Sequence, residues 1–208
     1  MILTVVNDVG GKTAPTAMTV VSPGQEMPIE VLREFAAGAG VDGRAFADLL
    51  SAFVTHERDG VHLYRVVAER TNNQEWRRRY EEFGAETARH VQVYEELIET
   101  LGGDPAYVSP LARMTTFRNA KLLESALISG SVSQEDLELA DLESVLIAEM
   151  KCHDNWELLG DLAEWMPEGQ VRDVIADAVD QVEDDEDKHL AWAREAHKQA
   201  VARMIIRP

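Results

Sequence analysis

Two pairs of acidic and histidine side chains are spaced so that each pair shares one face of a helix. Glu186 and His189 are three residues apart, and Glu86 and His90 are four residues apart. Residues three or four apart on a helix are neighbours, so each pair can direct a carboxylate and an imidazole at one point. Glutamate and histidine ligands suit iron and manganese. The spacing therefore indicates binding of divalent metal ions.

Two further acids, Glu57 and Glu149, fall in apolar helical stripes. Glu57 follows Phe53 by four residues, and Glu149 follows Leu146 by three. Each acid alone is more often a boundary residue with its carboxylate in water, but several ionised carboxylates buried together require a compensating cation. His153, four residues after Glu149, is a further candidate ligand, although a satisfied core or boundary histidine is its more common role.

Long amphipathic helices must position these residues. Apolar residues recur at intervals of three and four, and Asn, Gly and Pro interrupt the pattern. Long helices are predicted at about residues 42–71, 74–101, 134–165 and 170–203, and a shorter one at about 113–129. The predicted fold class is all-α, a four-helix bundle with a long crossover between helices 2 and 3, plus short accessory helices. Residues 1–27 are predicted to form an extended arm or a weak strand, and residues 28–208 the helical domain.

The turns between the long helices set the relative heights of the acids. In an antiparallel pair of helices, residues equidistant from the turn lie level with each other. Glu57 and Glu86 are equidistant from the turn predicted near residue 72, and Glu149 and Glu186 from the turn predicted near residue 168. Two such pairs in one bundle bring four glutamates and at least two histidines to one layer. That is a ligand set for two divalent ions.

With these residues, the chain resembles the ferritin-like di-metal carboxylate superfamily, which includes ferritins, rubrerythrins, bacterial di-iron oxidases and manganese catalases. The resemblance covers about residues 42–204. It implies two iron ions per chain, or alternatively manganese, in a centre that reacts with dioxygen or peroxide. It also implies that the glutamates bind terminally or bridge the ions and that the histidines cap them. The residues concerned are Glu57, Glu86, His90, Glu149, Glu186 and His189.

The second long helix departs from the family pattern, which has Glu-x-x-His on both even-numbered helices. Glu86 and His90 have three residues between them instead of two. A local π-bulge would restore the register. The alternative is that Arg89 points inward and fills the site with its own charge. Glu183 is a possible ligand, an acceptor for a ligand, or a surface residue.

Aromatic and sulfur side chains near these acids have less specific roles. Tyr64, seven residues after Glu57, is predicted to be a core residue, with a catalytic role as hydrogen-bond donor or radical quencher near the metals as the alternative. Trp156 is predicted to be a packing residue, and Cys152 an inert buried thiol. His56 is predicted to be on the surface or partly buried.

Charge and composition restrict the partners. The net charge of −18 argues against binding to nucleic acid or to anionic membranes. A single cysteine suits a reducing cytoplasm. We therefore expect a cytoplasmic homo-oligomer that binds metal ions and reacts with dioxygen or peroxide. The alternatives are a metal-free bundle with a structural or stress-related role, and iron sequestration in a cage of many subunits.

Overall fold

The computed structural model describes residues 2–9, 12–19, 23–127 and 133–206, with the backbone alone for residues 2–23 and 125–127. The elements, in chain order, are β1 (Ile2–Val9), β2 (Lys12–Thr19), a 3-10 helix (Pro23–Gln25), α1 (Ile29–Arg33), α2 (Gly43–Arg70), α3 (Gln74–Thr100), α4 (Pro110–Leu127), α5 (Gln134–Trp165), α6 (Gln170–Asp180) and α7 (Glu183–Ile205). The fold class is all-α, because every regular element described from Ile29 onward is an α-helix.

The N-terminal segment contains a two-stranded antiparallel sheet. Strands β1 and β2 pair so that Val5 lies opposite Thr16. The extended conformation predicted for residues 1–27 is thus present as two strands where the segment is described, and the 3-10 helix at Pro23–Gln25 was not predicted. None of the described helices is long and apolar enough to cross a membrane.

Side-chain caps begin the long helices at the predicted positions. The Asp42 side chain accepts a hydrogen bond from the backbone N–H of Ala45, and the Asn73 side chain accepts from the backbone N–H of Trp76. Ser133 forms a capping box with Asp136 at the start of α5. These caps confirm the predicted bounds of α2, α3 and α5 to within one residue. The C-terminal end predicted for the shorter helix, near residue 129, lies outside the described residues.

The prediction of one continuous helix over residues 170–203 is wrong. Val182 leaves the helical region with φ −121° and ψ −29°, and its N–H donates to the carbonyl of Val179 at 2.9 Å. The break places Asp185 and Glu186 in the first turn of a new helix, α7. The partial positive charge at a helix N-terminus favours carboxylates there.

The long helices pack side by side around two apolar clusters. α2 contacts α3, α4 and α5, while α5 also contacts α6 and α7. One cluster includes Phe53, Tyr94 and Trp156, and the other includes Leu63 and Phe83. Along α2, Glu57 lies between the residues of the first cluster and those of the second. The core is thus divided at the height of the predicted metal ligands.

Asp141, buried on α5, makes the stability of the fold depend on pH. Its carboxylate lies 3.5 Å from the Arg70 guanidinium, but burial raises its pKa to about 6 despite this cation. The folded state therefore holds a proton that the unfolded chain releases near pH 4, so this stabilisation is lost as the pH rises through about 6.

We expect Asp141→Asn to flatten the pH dependence of the free energy of unfolding between pH 4 and 7. The change in the free energy of unfolding between pH 4 and 7 should be smaller in the variant than in the unmodified protein by about 1 kcal/mol, after allowance for solvent screening. Urea unfolding at the two pH values measures it. A variant whose stability parallels that of the unmodified protein at both values would contradict this assignment.

Candidate metal centre

Five of the seven predicted metal ligands are buried together between the two apolar clusters. Each has 2% or less of its surface exposed, and together we call them the polar layer: Glu57, His90, Glu149, Glu186 and His189. They come from α2, α3, α5 and α7, and α7 supplies both Glu186 and His189. The polar layer therefore draws on each long helical segment that the sequence predicted to carry ligands.

One side of the polar layer is formed by Glu57, His90 and Glu186. A ligand atom of each lies within 4.8 Å of the others. His90 Nδ1 and Glu186 Oε1 are 2.8 Å apart. The geometry of this contact is not that of a hydrogen bond, and His90 Nδ1 has no hydrogen-bond partner among the described residues. A nitrogen and two carboxylates are thus directed at one small space.

The other side of the polar layer is formed by Glu149 and His189. His189 Nδ1 and Glu149 Oε2 are 3.4 Å apart, and neither has a hydrogen-bond partner in the described structure. The same is true of one carboxylate oxygen of Glu57 and one of Glu186. Buried polar atoms are rarely left unpaired, because desolvating them without a partner costs free energy. Divalent cations would satisfy all of these atoms, so the residues present fit a metal centre.

Acidic side chains outside the polar layer orient both imidazoles. His90 Nε2 lies 3.4 Å from Asp185 Oδ2, and His189 Nε2 lies 2.8 Å from Glu86 Oε2. When Nε2 carries the proton and donates it to the outer acid, Nδ1 presents its lone pair inward. Metal-binding histidines are commonly held by such a carboxylate. Asp185 was not among the residues that the sequence singled out.

Glu86 lies outside the polar layer. Besides accepting from His189, it pairs with Lys188 at 2.8 Å. The inner position is taken by Thr87, which precedes His90 by three residues as Glu186 precedes His189, and which is 2% exposed. α3 is a regular α-helix here, without the π-bulge considered above. Glu86 is thus the counterpart of Asp185, and the polar layer has three carboxylates instead of four.

Tyr64 and Trp156 hold the two remaining carboxylates in a reciprocal arrangement. The Tyr64 hydroxyl donates to Glu149 Oε1 at 2.7 Å, and Trp156 Nε1–H donates to Glu57 Oε1 at 3.0 Å. Each aromatic residue follows the acid of its own helix by seven residues and binds the acid of the other helix. Tyr64 is thus a core residue, as predicted, and it also makes the hydrogen bond considered as the alternative, whereas its catalytic role stays a prediction. The equivalent role of Trp156 as a hydrogen-bond donor was not predicted, although Trp156 follows Glu149 by the same seven residues.

His153, Arg89 and Glu183 are not part of the polar layer. His153 Nε2 lies 2.8 Å from the exposed Asp187, on the outer side of α5. The side chain of Arg89 is 57% exposed and donates to Asp185 at 3.1 Å. It therefore does not fill the space between the ligands. Glu183 is exposed.

Burial and mutual proximity make the charged forms of these carboxylates unfavourable. Burial, and then the neighbouring Glu186, raise the pKa of Glu57 well above its usual range. Burial, and then Glu149, do the same to the pKa of Glu186. Burial also raises the pKa of the Tyr64 hydroxyl, which therefore stays a donor. Such shifts occur both at functional sites and in structural ion-pair networks, and here they coincide with converging unpaired atoms.

Histidine protonation differs between the two sides. Burial lowers the pKa of His90, which favours a neutral ring. Burial also acts to lower the pKa of His189, but the nearby Glu149 carboxylate, followed by the hydrogen bond with Glu86, outweighs it and raises that pKa. The side with Glu149 and Glu86 therefore holds the more basic imidazole.

Substitutions at Asp185 and Arg89 distinguish the effect of orienting His90 from the effect of surface charge on metal affinity. Asp185→Asn keeps the shape of the side chain but removes the charge beside His90, so we expect metal affinity to fall about 10- to 100-fold. Arg89→Gln changes an exposed partner of the same Asp185 and should change affinity by less than about threefold. Titration with Mn²⁺ followed by calorimetry measures both. A larger loss for Arg89→Gln than for Asp185→Asn would contradict the role given to Asp185.

Comparison with known proteins supports the fold alone. No protein-family model and no curated protein sequence matches the chain. Among solved structures, it is similar to YcfI from Rhodopseudomonas palustris, a protein to which a structural role is given only provisionally. The TM-score is 0.63 over 77% of this chain and 97% of YcfI, at 14% sequence identity. The chain therefore shares the fold of YcfI.

Proposed function

We propose that this protein is a ferritin-like four-helix bundle that holds two iron ions, or alternatively two manganese ions, and acts as an oxidoreductase on dioxygen or peroxide. The observation that carries the proposal is the convergence of five buried atoms without hydrogen-bond partners. They come from the five residues of the polar layer: Glu57, His90, Glu149, Glu186 and His189. The family resemblance of the sequence supplies the redox chemistry.

Each side of the polar layer would hold one ion. Glu57 and His90 would bind one, Glu149 and His189 the other, and Glu186 would be shared. Two observations favour Glu186 as the shared ligand. Its Oε1 lies 2.8 Å from His90 Nδ1, and Glu149 of the opposite side is the charged group that most raises its pKa. Bound iron or manganese would supply electrons to an oxygen substrate.

The charge of the polar layer favours an additional anionic ligand. Three ionised carboxylates and two neutral imidazoles leave one positive charge uncompensated when two divalent ions are bound. A fourth carboxylate at the position of Thr87 would have neutralised it. An anion from solution, such as hydroxide or deprotonated peroxide, is of the required charge. The need for an anionic ligand arises because Thr87 lies where a fourth carboxylate was expected. The Thr87 hydroxyl donates to the carbonyl of Phe83 at 2.8 Å.

Aromatic rings enclose the proposed centre. Phe83 lies 4.2 Å from the ring of His189, and Trp156 stacks on Tyr94 at 4.0 Å. Together with the hydrogen bonds from Tyr64 and Trp156, this packing fixes the carboxylates of Glu149 and Glu57. Water exclusion strengthens electrostatic interactions within such a site.

A metal-free bundle with a structural role is the alternative. The provisional description of YcfI as a structural protein is in line with it. It would leave the five atoms of the polar layer without hydrogen-bond partners, and the exposed Arg89 does not supply one. A homo-oligomeric state, with or without an iron-storing cage, stays a prediction.

Oxygen consumption tests the proposed reaction. Protein loaded with two equivalents of Fe²⁺ under anaerobic conditions is mixed with aerated buffer in an oxygen electrode. We expect uptake at least about tenfold faster than for a Glu57→Ala/Glu149→Ala variant, with Glu183→Ala as the surface control. Uptake at the rate of free Fe²⁺ for all three proteins would contradict the redox assignment.

A further inference from the structure

A cavity of about 480 Å³ lies between α2, α4 and α5, apart from the polar layer. Its walls are mainly apolar and include Leu49, Phe53, Leu111, Met114 and Leu158. Binding sites for small molecules typically have roughly 300–1,000 Å³ and apolar walls with a few polar groups. The cavity has the size and lining of such a site.

An unpaired hydrogen-bond acceptor lies in the wall of this cavity. Asn155 is 1% exposed, and its Oδ1 has no hydrogen-bond partner among the described residues. Lys151 and Leu158, one turn before and one turn after Asn155 on α5, also line the cavity, so all three lie on the same face of the helix. Buried acceptors are rarely left without a donor. A bound molecule that donates a hydrogen bond at this depth would satisfy Asn155.

The other buried polar side chains of the wall already have partners. His56 Nε2 donates to the carbonyl of Ala148 at 3.1 Å. Asn119 donates to His56 Nδ1 at 3.1 Å and to Asp59 at 2.9 Å. His56 is buried, not superficial as the sequence suggested, and burial lowers its pKa so that the ring stays neutral. Asn155 Oδ1 is therefore the buried atom through which the described wall can recognise a polar group.

The charged residues of the wall restrict the charge of the occupant. Arg118 from α4 and Lys151 from α5 line the cavity, but both are exposed, and Lys151 pairs with Asp154 at 2.8 Å. Their charged groups reach water and need no anion inside the cavity, while their positive charge disfavours a cationic occupant. A carboxylate has no proton to donate to Asn155 Oδ1. The occupant that fits is therefore neutral and carries a hydrogen-bond donor.

We propose that this cavity binds a neutral alcohol or phenol with an apolar body. The hydroxyl donates its proton to Asn155 Oδ1, and the body lies against Phe53 and Leu158. The same molecule covers Leu111 and Met114, which are 42% and 52% exposed without it. The proposal does not depend on the metal centre, because none of these residues belongs to the polar layer.

Calorimetric titration of the full-length, metal-free protein with two isomers tests the proposal. The isomers are n-octanol and heptyl methyl ether, which have the same atoms, but the ether has no O–H donor. We expect n-octanol to bind at one site per chain, about tenfold more tightly than the ether. Octanoate and octylammonium have alkyl chains of the same length, and each should bind more weakly than n-octanol.

Asn155→Leu tests the role given to the acceptor, because leucine keeps the size of the side chain and removes the oxygen. The variant should bind n-octanol and the ether with equal affinity, close to that of the unmodified protein for the ether. Retained ether binding shows that the variant is folded. Asn72→Leu, the same substitution at an exposed position outside the cavity, is the matched control and should keep the tenfold preference.

Four results would overturn the proposal. They are absence of n-octanol binding, equal binding of the two isomers by the unmodified protein, tighter binding of either charged molecule, and an unchanged preference in Asn155→Leu. Occupation of the cavity by a second copy of the chain would also contradict it. In that case Leu111→Glu/Met114→Glu, at the exposed rim of the cavity, would lower the mass seen by sedimentation, and n-octanol would bind only to the dissociated form.

Discussion

The metal-free Glu186→Leu variant is expected to unfold at a higher temperature than the metal-free unmodified protein. Glu186 is 1% exposed, lies near two other carboxylates, and has one oxygen without a hydrogen-bond partner. Removing a buried carboxyl group that has no partner for one oxygen and is repelled by neighbouring carboxylates should relieve a cost of about 1–3 kcal/mol. For a chain of this length that corresponds to a rise of roughly 2–12 °C.

Metal ions should reverse this order of stabilities. At a metal concentration 1,000-fold above the dissociation constant, binding stabilises the unmodified protein by about 4 kcal/mol. The variant lacks the shared ligand and should gain almost nothing. Differential scanning calorimetry with and without Mn²⁺ measures both effects, with the exposed Glu183→Leu as control. A metal-free Glu186→Leu variant less stable than the unmodified protein would indicate that Glu186 has a structural role instead.

Thr87→Glu is expected to destabilise the metal-free protein by about 3 kcal/mol and to make its folding depend on metal. The substitution places a fourth carboxylate at the inner position of α3, three residues before His90. An additional buried charge without a partner is strongly unfavourable. Bound divalent ions would compensate that charge, so most of the lost stability should return in Mn²⁺.

Thr87→Gln provides the matched comparison, because it has the size of glutamate without the charge. Any steric conflict with the facing Gly60 then affects both variants equally; a methyl group on Gly60 would already lie 3.4 Å from Thr87 Cγ2. Urea unfolding of both variants with and without Mn²⁺ isolates the effect of charge. If both variants are equally destabilised and neither is rescued by metal, Thr87 does not face a metal centre.

Turn residues and caps made most of the fold predictable from the sequence. The turn at residues 71–73 and that at residues 166–169 lie where Asn and Pro-Gly signals indicated them. The break between α6 and α7 could not be predicted in this way. It occurs at Gln181 and Val182, neither of which is Gly or Pro, and it is evident from the backbone angles and the hydrogen bond of Val182.

The candidate site was predictable where charged residues interrupt an apolar stripe. This criterion identified all five members of the polar layer, which lie between the two apolar clusters of the core. The criterion failed at Glu86, because an acid was expected to be the ligand instead of the adjacent Thr87. Consecutive residues point in directions about 100° apart around a helix, so Glu86 lies outside the layer when Thr87 faces it. The role of Trp156 was missed because an indole is ordinarily a packing residue, and its hydrogen bond to Glu57 depends on the packing of α2 against α5.

Elemental analysis of protein purified from metal-replete cultures tests the central claim most directly. The account predicts about two iron or manganese ions per chain in the unmodified protein. A folded Glu57→Ala/Glu186→Ala variant lacks the ligand that both ions would share and a second ligand of one ion, so both ions should be absent. Comparable trace amounts of metal in the two proteins would contradict a metal centre formed by these residues.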